Sequence, residues 1–168
     1  MILFDSQGSY LVPPQIALET RQGNQVPNEQ RREVAPQRMK AAMEVVKANH
    51  PTAVERSLRS TYNCMGMVFA SRRTCIDIEH LGLLLSEDGY RKLDAASELQ
   101  VGDLAVYRVD SGDFSHVGVV YYLGPFRVDG SRDVYVMSQW GRDGEYLHRV
   151  DDVNVNLGTP TEYWTDRT

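Results

Sequence analysis

The chain has 168 residues, with 18 Lys+Arg against 23 Asp+Glu for a net charge of -5 at neutral pH, and 42% hydrophobic and 9% aromatic residues. Such a chain is expected to close one ordinary core as one domain. The acidic balance, with no Lys/Arg run interleaved with aromatics, argues against a nucleic-acid groove and against a basic membrane-binding surface.

Two cysteines, Cys64 and Cys75, are too few for a disulfide scaffold and are expected to be reduced. Met1-Ile2-Leu3-Phe4-Asp5 lacks a basic n-region, and no stretch reaches the roughly 20 apolar residues of a membrane span. The expected compartment is the cytoplasm, with export by a route that reads no such signal left open. No membrane and no nucleic acid are expected among the partners.

Residues 1–20 hold a short strand-like start, then Tyr10-Leu11-Val12 closed by Pro13-Pro14, and a short helical turn through Ile16, Ala17 and Leu18. Residues 21–37 are polar, contain two prolines and offer few groups worth burying, so they are predicted to form a loop or extended arm. The division is thus an N-terminal arm over 1–36, partly extended and open to a protein partner, and a single domain over 37–168. Met39, Ala42, Met43 and Val46 repeat at helical spacing before Pro51, which predicts an amphipathic helix from Gln37 to Asn49. His50 at its end is expected to meet the last carbonyls.

Thr61-Tyr62-Asn63-Cys64-Met65-Gly66 follows, with Asn63 an N-cap and Met65, Val68 and Phe69 at helical spacing. Cys64 then lies in the first turn, where unpaired N–H groups and the helix dipole favour thiolate and bring the pKa from about 8.5 toward neutrality. A cysteine so placed is a candidate nucleophile; its bland alternative is a buried structural thiol. If Cys75 shares the helix, it stands about 16 Å away, beyond bridging, at the end where the dipole disfavours thiolate. Ile78, Leu81, Leu84 and Leu85 make a second short helical stripe that closes at Glu87-Asp88-Gly89, with His80 an exposed or satisfied residue on it.

The second half changes period. Strands are predicted over 104–109, 116–122, 134–140 and 144–150, joined by short turns as an antiparallel meander. Helices first and strands after is the order of an α+β domain, one layer of helices on a curled sheet. His116 opens a strand directly after a loop, where its ring can reach a thiol on a packed helix. Ser138-Gln139 ends the next strand, which a hairpin returns beside His116, and a one-residue slip decides which of the two faces it. His148, one strand further, is the alternative third member. Tyr62 and Asn63 beside the thiol, and Trp140 at a strand end, are the candidate substrate-binding residues. No Cys-x-x-Cys or His-x-x-x-His spacing suggests a metal, and no glycine-rich phosphate loop suggests a nucleotide.

The Asn63-Cys64-Met65-Gly66 helix start, the Leu99-Gln100-Val101-Gly102-Asp103-Leu104 stretch and the Ser115-His116-Val117-Gly118-Val119-Val120 strand resemble the core of NlpC-type and CHAP-type hydrolases over about residues 60–140. The resemblance implies a papain-like α+β fold, N-terminal helices on a C-terminal antiparallel sheet. It also implies a thiol peptidase or amidase with Cys64 as nucleophile, His116 as general base, and Ser138 or Gln139 where such enzymes place His, Asn or an acid. The residue before the cysteine is often acidic there, whereas Asn63 keeps only the capping ability. The reaction implied is cleavage of a peptide-type or isopeptide-type amide through a thioester, without a cofactor. The same dyad would serve a deamidase or acyltransferase. A binding module that keeps the fold without turnover is the competing expectation.

Overall fold

The computed structural model describes residues 13–94 and 98–167, so the strand-like start over 1–12 lies outside the described residues. The strands are β1 (Asn28–Glu29), β2 (Val54–Ser57), β3 (Cys75–Ile76), β4 (Arg91–Lys92), β5 (Leu104–Arg108), β6 (Phe114–Leu123), β7 (Val134–Gln139), β8 (Glu145–Arg149) and β9 (Thr159–Thr165). The helices are α1 (Pro36–Asn49), α2 (Cys64–Phe69) and α3 (Leu81–Glu87). Seven strands form one antiparallel sheet in the order β2-β8-β7-β6-β5-β9-β4, and β1 pairs with β3 apart from it. The fold is mixed α and β around this sheet, and no described helix is long and apolar enough to cross a membrane.

The meander β5 to β8 follows from alternating apolar runs and short turns, and its four strands match the expected ranges within two residues. β9 and β4 extend the sheet past β5. Residues 159–165 include Pro160, which cannot donate to a ladder; it sits beside the bulge opposite Val106 and Tyr107.

The helices do not form one layer. Successive side chains of β5 point to opposite faces. Leu104 and Val106 pack with Val117, Met65, Leu81, Leu84 and Leu85, so α2 and α3 cover one face. Ala105 and Tyr107 pack with Val136, Trp140, Tyr146 and Val46, which puts α1 against the other. β5 is apolar at every position from Leu104 to Tyr107 and buried throughout, as a strand covered on both sides must be.

The arm is also part of the body. Ile16 to Leu18 is not helical, and Val26, Thr20 and Asn28 are buried. Asn28 uses its amide fully: Oδ1 accepts from Ile16 N at 3.1 Å and Thr74 Oγ1 at 2.9 Å, and Nδ2 donates to the carbonyls of Ile16 and Val26. Thr20 Oγ1 donates to Glu87 at 2.6 Å and Arg21 N to Asp88 at 2.8 Å, fastening the segment to the end of α3. Hydrogen bonds to named side chains, more than apolar burial, hold this polar stretch in place.

Candidate active site

α2 starts at Cys64, as its sequence predicts. Asn63 Oδ1 accepts from Gly66 N at 3.0 Å, a standard N-cap bond, and also from Ile76 N at 3.2 Å, while Nδ2 donates to Ile76 O at 2.7 Å. One side chain thus caps the helix and holds β3 against it. Gly66 lets the strand come this close, since a Cβ there would lie 1.7 Å from Thr74 O. The chain reverses through Ser71 and Arg72, both left-handed at φ 48 and 63, with Arg72 N bonded to Gly66 O at 2.9 Å. Outside a helix this backbone is strained for residues with a Cβ. The Arg72 guanidinium meets Glu145 at 2.8 and 3.1 Å, and Tyr62 donates its hydroxyl to the same carboxylate at 3.0 Å.

This reversal corrects the expectation for Cys75. It lies on β3, not at the far end of a helix, and lines the same cavity as Cys64. Both thiols are free and buried.

The expected activation of Cys64 by the helix start is also overturned in this state. Burial pushes its thiol up to about 11, outweighing the backbone N–H groups of Val117, Met65 and Cys64 itself that favour thiolate. A single helical turn of partial charge does not offset desolvation of a sulfur that is only 7% exposed.

His116 lies on β6 opposite Tyr107, its ring edge-on to the phenol ring with centroids 5.2 Å apart. β6 pairs with β7 only from Val119 onward, so the sheet opens beside His116. A cavity of about 630 Å³ lies at this opening and touches both Cys64 and His116. The Val117 N–H directed at the thiol places sulfur beside the strand one residue past His116. His116 is 0% exposed and neither ring nitrogen has a hydrogen-bond partner. Burial, with a smaller contribution from the charge of His148, brings its pKa down to about 3. Both members of the expected dyad therefore rest neutral.

The other expected site residues are placed elsewhere. Ser138 Oγ bonds His148 Nε2 at 2.8 Å and receives Trp140 Nε1–H at 3.1 Å. Gln139 donates from Nε2 to Arg59 O at 2.9 Å and Gly141 O at 3.1 Å. Neither hydrogen-bonds His116, so the orienting third residue expected on β7 is not made in this structure. Tyr62 is buried against Glu145 and does not border the cavity. Trp140 is 4% exposed and borders a second cavity instead. Asn63 does line the thiol cavity, where it serves as the cap.

The far wall of the cavity was not legible in the sequence. Asn28, Glu29 and Arg31 of the arm, and Asp77, Glu79 and His80 before α3, face the thiol side. Nothing in a polar run distinguishes a cavity wall from a solvated loop. Among the described residues no group of three or more His, Cys, Asp or Glu is placed to hold a metal ion. No protein-family model, no curated protein and no solved structure matches the chain.

Proposed function

We propose that the protein is a thiol-dependent hydrolase of amide bonds, using Cys64 and His116. The observation that carries this reading is the imidazole of His116, completely buried with both nitrogens unpartnered, on the cavity that also holds a thiol at a helix start. An unpaired buried polar atom costs about 1–3 kcal/mol, and a fold keeps two of them on one ring where another group is to fill them. An amide substrate in the cavity does so. Cys64 Sγ attacks the carbonyl carbon, and its proton passes to His116. The N–H of Cys64 bonds the resulting oxyanion, and the imidazolium protonates the departing amine as the C–N bond breaks. Water then attacks the thioester with His116 as base, releasing the acid and restoring the thiol. An amine in place of water gives acyl transfer, and loss of ammonia from a side-chain amide gives deamidation.

With the thiol near 11 and the imidazole near 3, the thiol keeps its proton and the ring resists taking it, so the proton transfer needs substrate and water to relieve the burial of both groups. The same neutral pair favours a second reading, a peptide-binding module without turnover. A peptidyl chloromethyl ketone, which brings its own carbonyl to the sulfur, separates the two. The hydrolase reading expects Cys64 to be alkylated in the native protein and His116→Ala to slow that labelling by about 100-fold. Labelling of Cys75 first, or labelling of Cys64 indifferent to His116→Ala, overturns it. Reversible peptide binding without alkylation identifies the binding module.

A further inference from the structure

A second cavity, of about 420 Å³, adjoins the first, and Gly141 and Leu157 border both. Its apolar wall is Ala42 and Val46 of α1 with Trp140 and Leu157, and its rim carries the amides of Asn154 and Asn156. His50 stands in it at the end of α1. The ring does not turn to the helix carbonyls: Nδ1 meets Asp152 Oδ1 at 2.6 Å, and Thr52 donates its hydroxyl to the other oxygen of that carboxylate. The ring also lies edge-on to Trp140, with centroids 4.9 Å apart, so its orientation is held from two sides.

These bonds set the chemistry of the free nitrogen. A carboxylate only accepts, so the bond to Asp152 selects the Nδ1–H tautomer, in which Nε2 is an acceptor. It has no partner among the described residues. The cavity therefore combines an apolar wall with an oriented acceptor at His50, and its rim carries the amides of Asn49, Asn154 and Asn156 beside the Asp143 carboxylate, polar groups that suit a peptide main chain. A hydrocarbon side chain leaves the acceptor unused. A phenol fills the apolar space and donates its O–H to Nε2.

We propose that this second cavity is the subsite for a tyrosine-type side chain on the amide substrate, with the phenol hydroxyl donating to His50 Nε2 and the main chain passing Gly141 and Leu157 toward Cys64. The inference rests on the hydrolase reading for the bond that is cleaved, and on the cavity itself for the side chain that is recognised. Gly141 makes the sill low: it is left-handed at φ 57, and no atom lies within 4 Å of where its Cβ would be.

The test is equilibrium binding of N-acetyl-tyrosine methylamide and its phenylalanine and lysine analogues to the wild-type protein, followed by calorimetry. The tyrosine compound is expected to bind about 10-fold more tightly than the phenylalanine compound, because a site built around an acceptor discriminates against a ligand that leaves it unpaired. His50→Leu, checked by its melting curve, should abolish the difference. Ala42→Leu, on the cavity wall, should weaken both compounds without removing the preference. Equal binding of tyrosine and phenylalanine compounds, tighter binding of the lysine compound, no binding of any, or a preference that survives His50→Leu overturns the subsite. Chloromethyl ketone labelling of Cys64 in parallel reports on the reaction alone. Tyrosine preference without labelling leaves the subsite standing and removes the hydrolase; labelling without preference does the reverse.

Discussion

His116 and His148 are two histidines of one sheet, both at 0% exposure and both edge-on to an aromatic ring, yet they differ in every hydrogen bond of their rings. Around His148 the protons can be followed without ambiguity. Nδ1 donates to Arg149 O at 2.7 Å, since a carbonyl only accepts; Nε2 then accepts from Ser138 Oγ–H at 2.8 Å, and Ser138 in turn accepts from Trp140 Nε1–H at 3.1 Å. Around His116 there is a Tyr107 ring and a cavity, and no partner for either nitrogen. Burial alone thus says nothing about function. A buried histidine with all its bonds made belongs to the packing, and the unpartnered ring on the cavity that Cys64 also lines is the one the proposed reaction would use.

Replacing the unsatisfied ring separates chemistry from stability most sharply. His116→Phe is expected to lower turnover of an amide substrate, or labelling of Cys64 by a chloromethyl ketone, by about 100-fold or more. Stability in urea should stay unchanged or rise by about 2 kcal/mol, because two unpartnered nitrogens leave an otherwise apolar site. A large loss of stability with Cys64 chemistry intact would reverse the assignment of the two histidines.

The next effect is on acid stability. Both imidazoles titrate below the ordinary 6.5, His116 near 3 and His148 near 4, in each case mainly through burial. The unfolded chain therefore binds protons below pH 6.5 that the folded one refuses. Stability is complete above that pH and falls on acidification toward the folded values, by on the order of 1.4 kcal/mol per pH unit for each ring. Urea unfolding between pH 7 and 4.5 should show this slope, and His116→Phe should remove about half of it. An unchanged slope in that variant would mean that His116 is not buried neutral.

Ser138→Ala sharpens the other side of the comparison. It leaves Trp140 Nε1 and His148 Nε2 unpaired and should cost about 1–3 kcal/mol while changing turnover less than about 3-fold. Gln139→Ala removes two bonds to backbone carbonyls and should cost about 1 kcal/mol, again with turnover intact. A 10- to 100-fold loss of turnover from either change would restore the orienting role that the sequence suggests for these residues.

Much of this architecture is legible in the sequence. The stripe Met39, Ala42, Met43 and Val46 marks α1, Asn63 marks the start of α2, and alternation with glycine turns marks β5 to β8, because each signal is a local match between side-chain spacing and backbone period. The packing of the arm is not legible in the sequence because Asn28 and Thr20 are held by distant partners, Thr74 and Glu87, and a polar run does not reveal which groups will meet its hydrogen bonds. β3 and β9 were missed for a related reason. Two residues, or a run containing Pro160, are too short or too irregular to carry a period, and their pairing is fixed by β1 and β5.

For the candidate site, the sequence by itself determined which side chains have the chemistry, where the thiol sits on its helix, and which strand carries the imidazole. Those are properties of a residue and its immediate neighbours. Only the tertiary structure decided their state. Desolvation of Cys64 and His116 depends on every group packed around them, and it reverses the sign expected from the helix start alone. The partner of Ser138 was likewise decided between strands: Val136 stands opposite His148 and Ser138 opposite Tyr146, and the Ser138 hydroxyl bonds the His148 ring diagonally across β7 and β8. Register and burial are sums over contacts between residues far apart in the chain, and no local pattern of residues contains them.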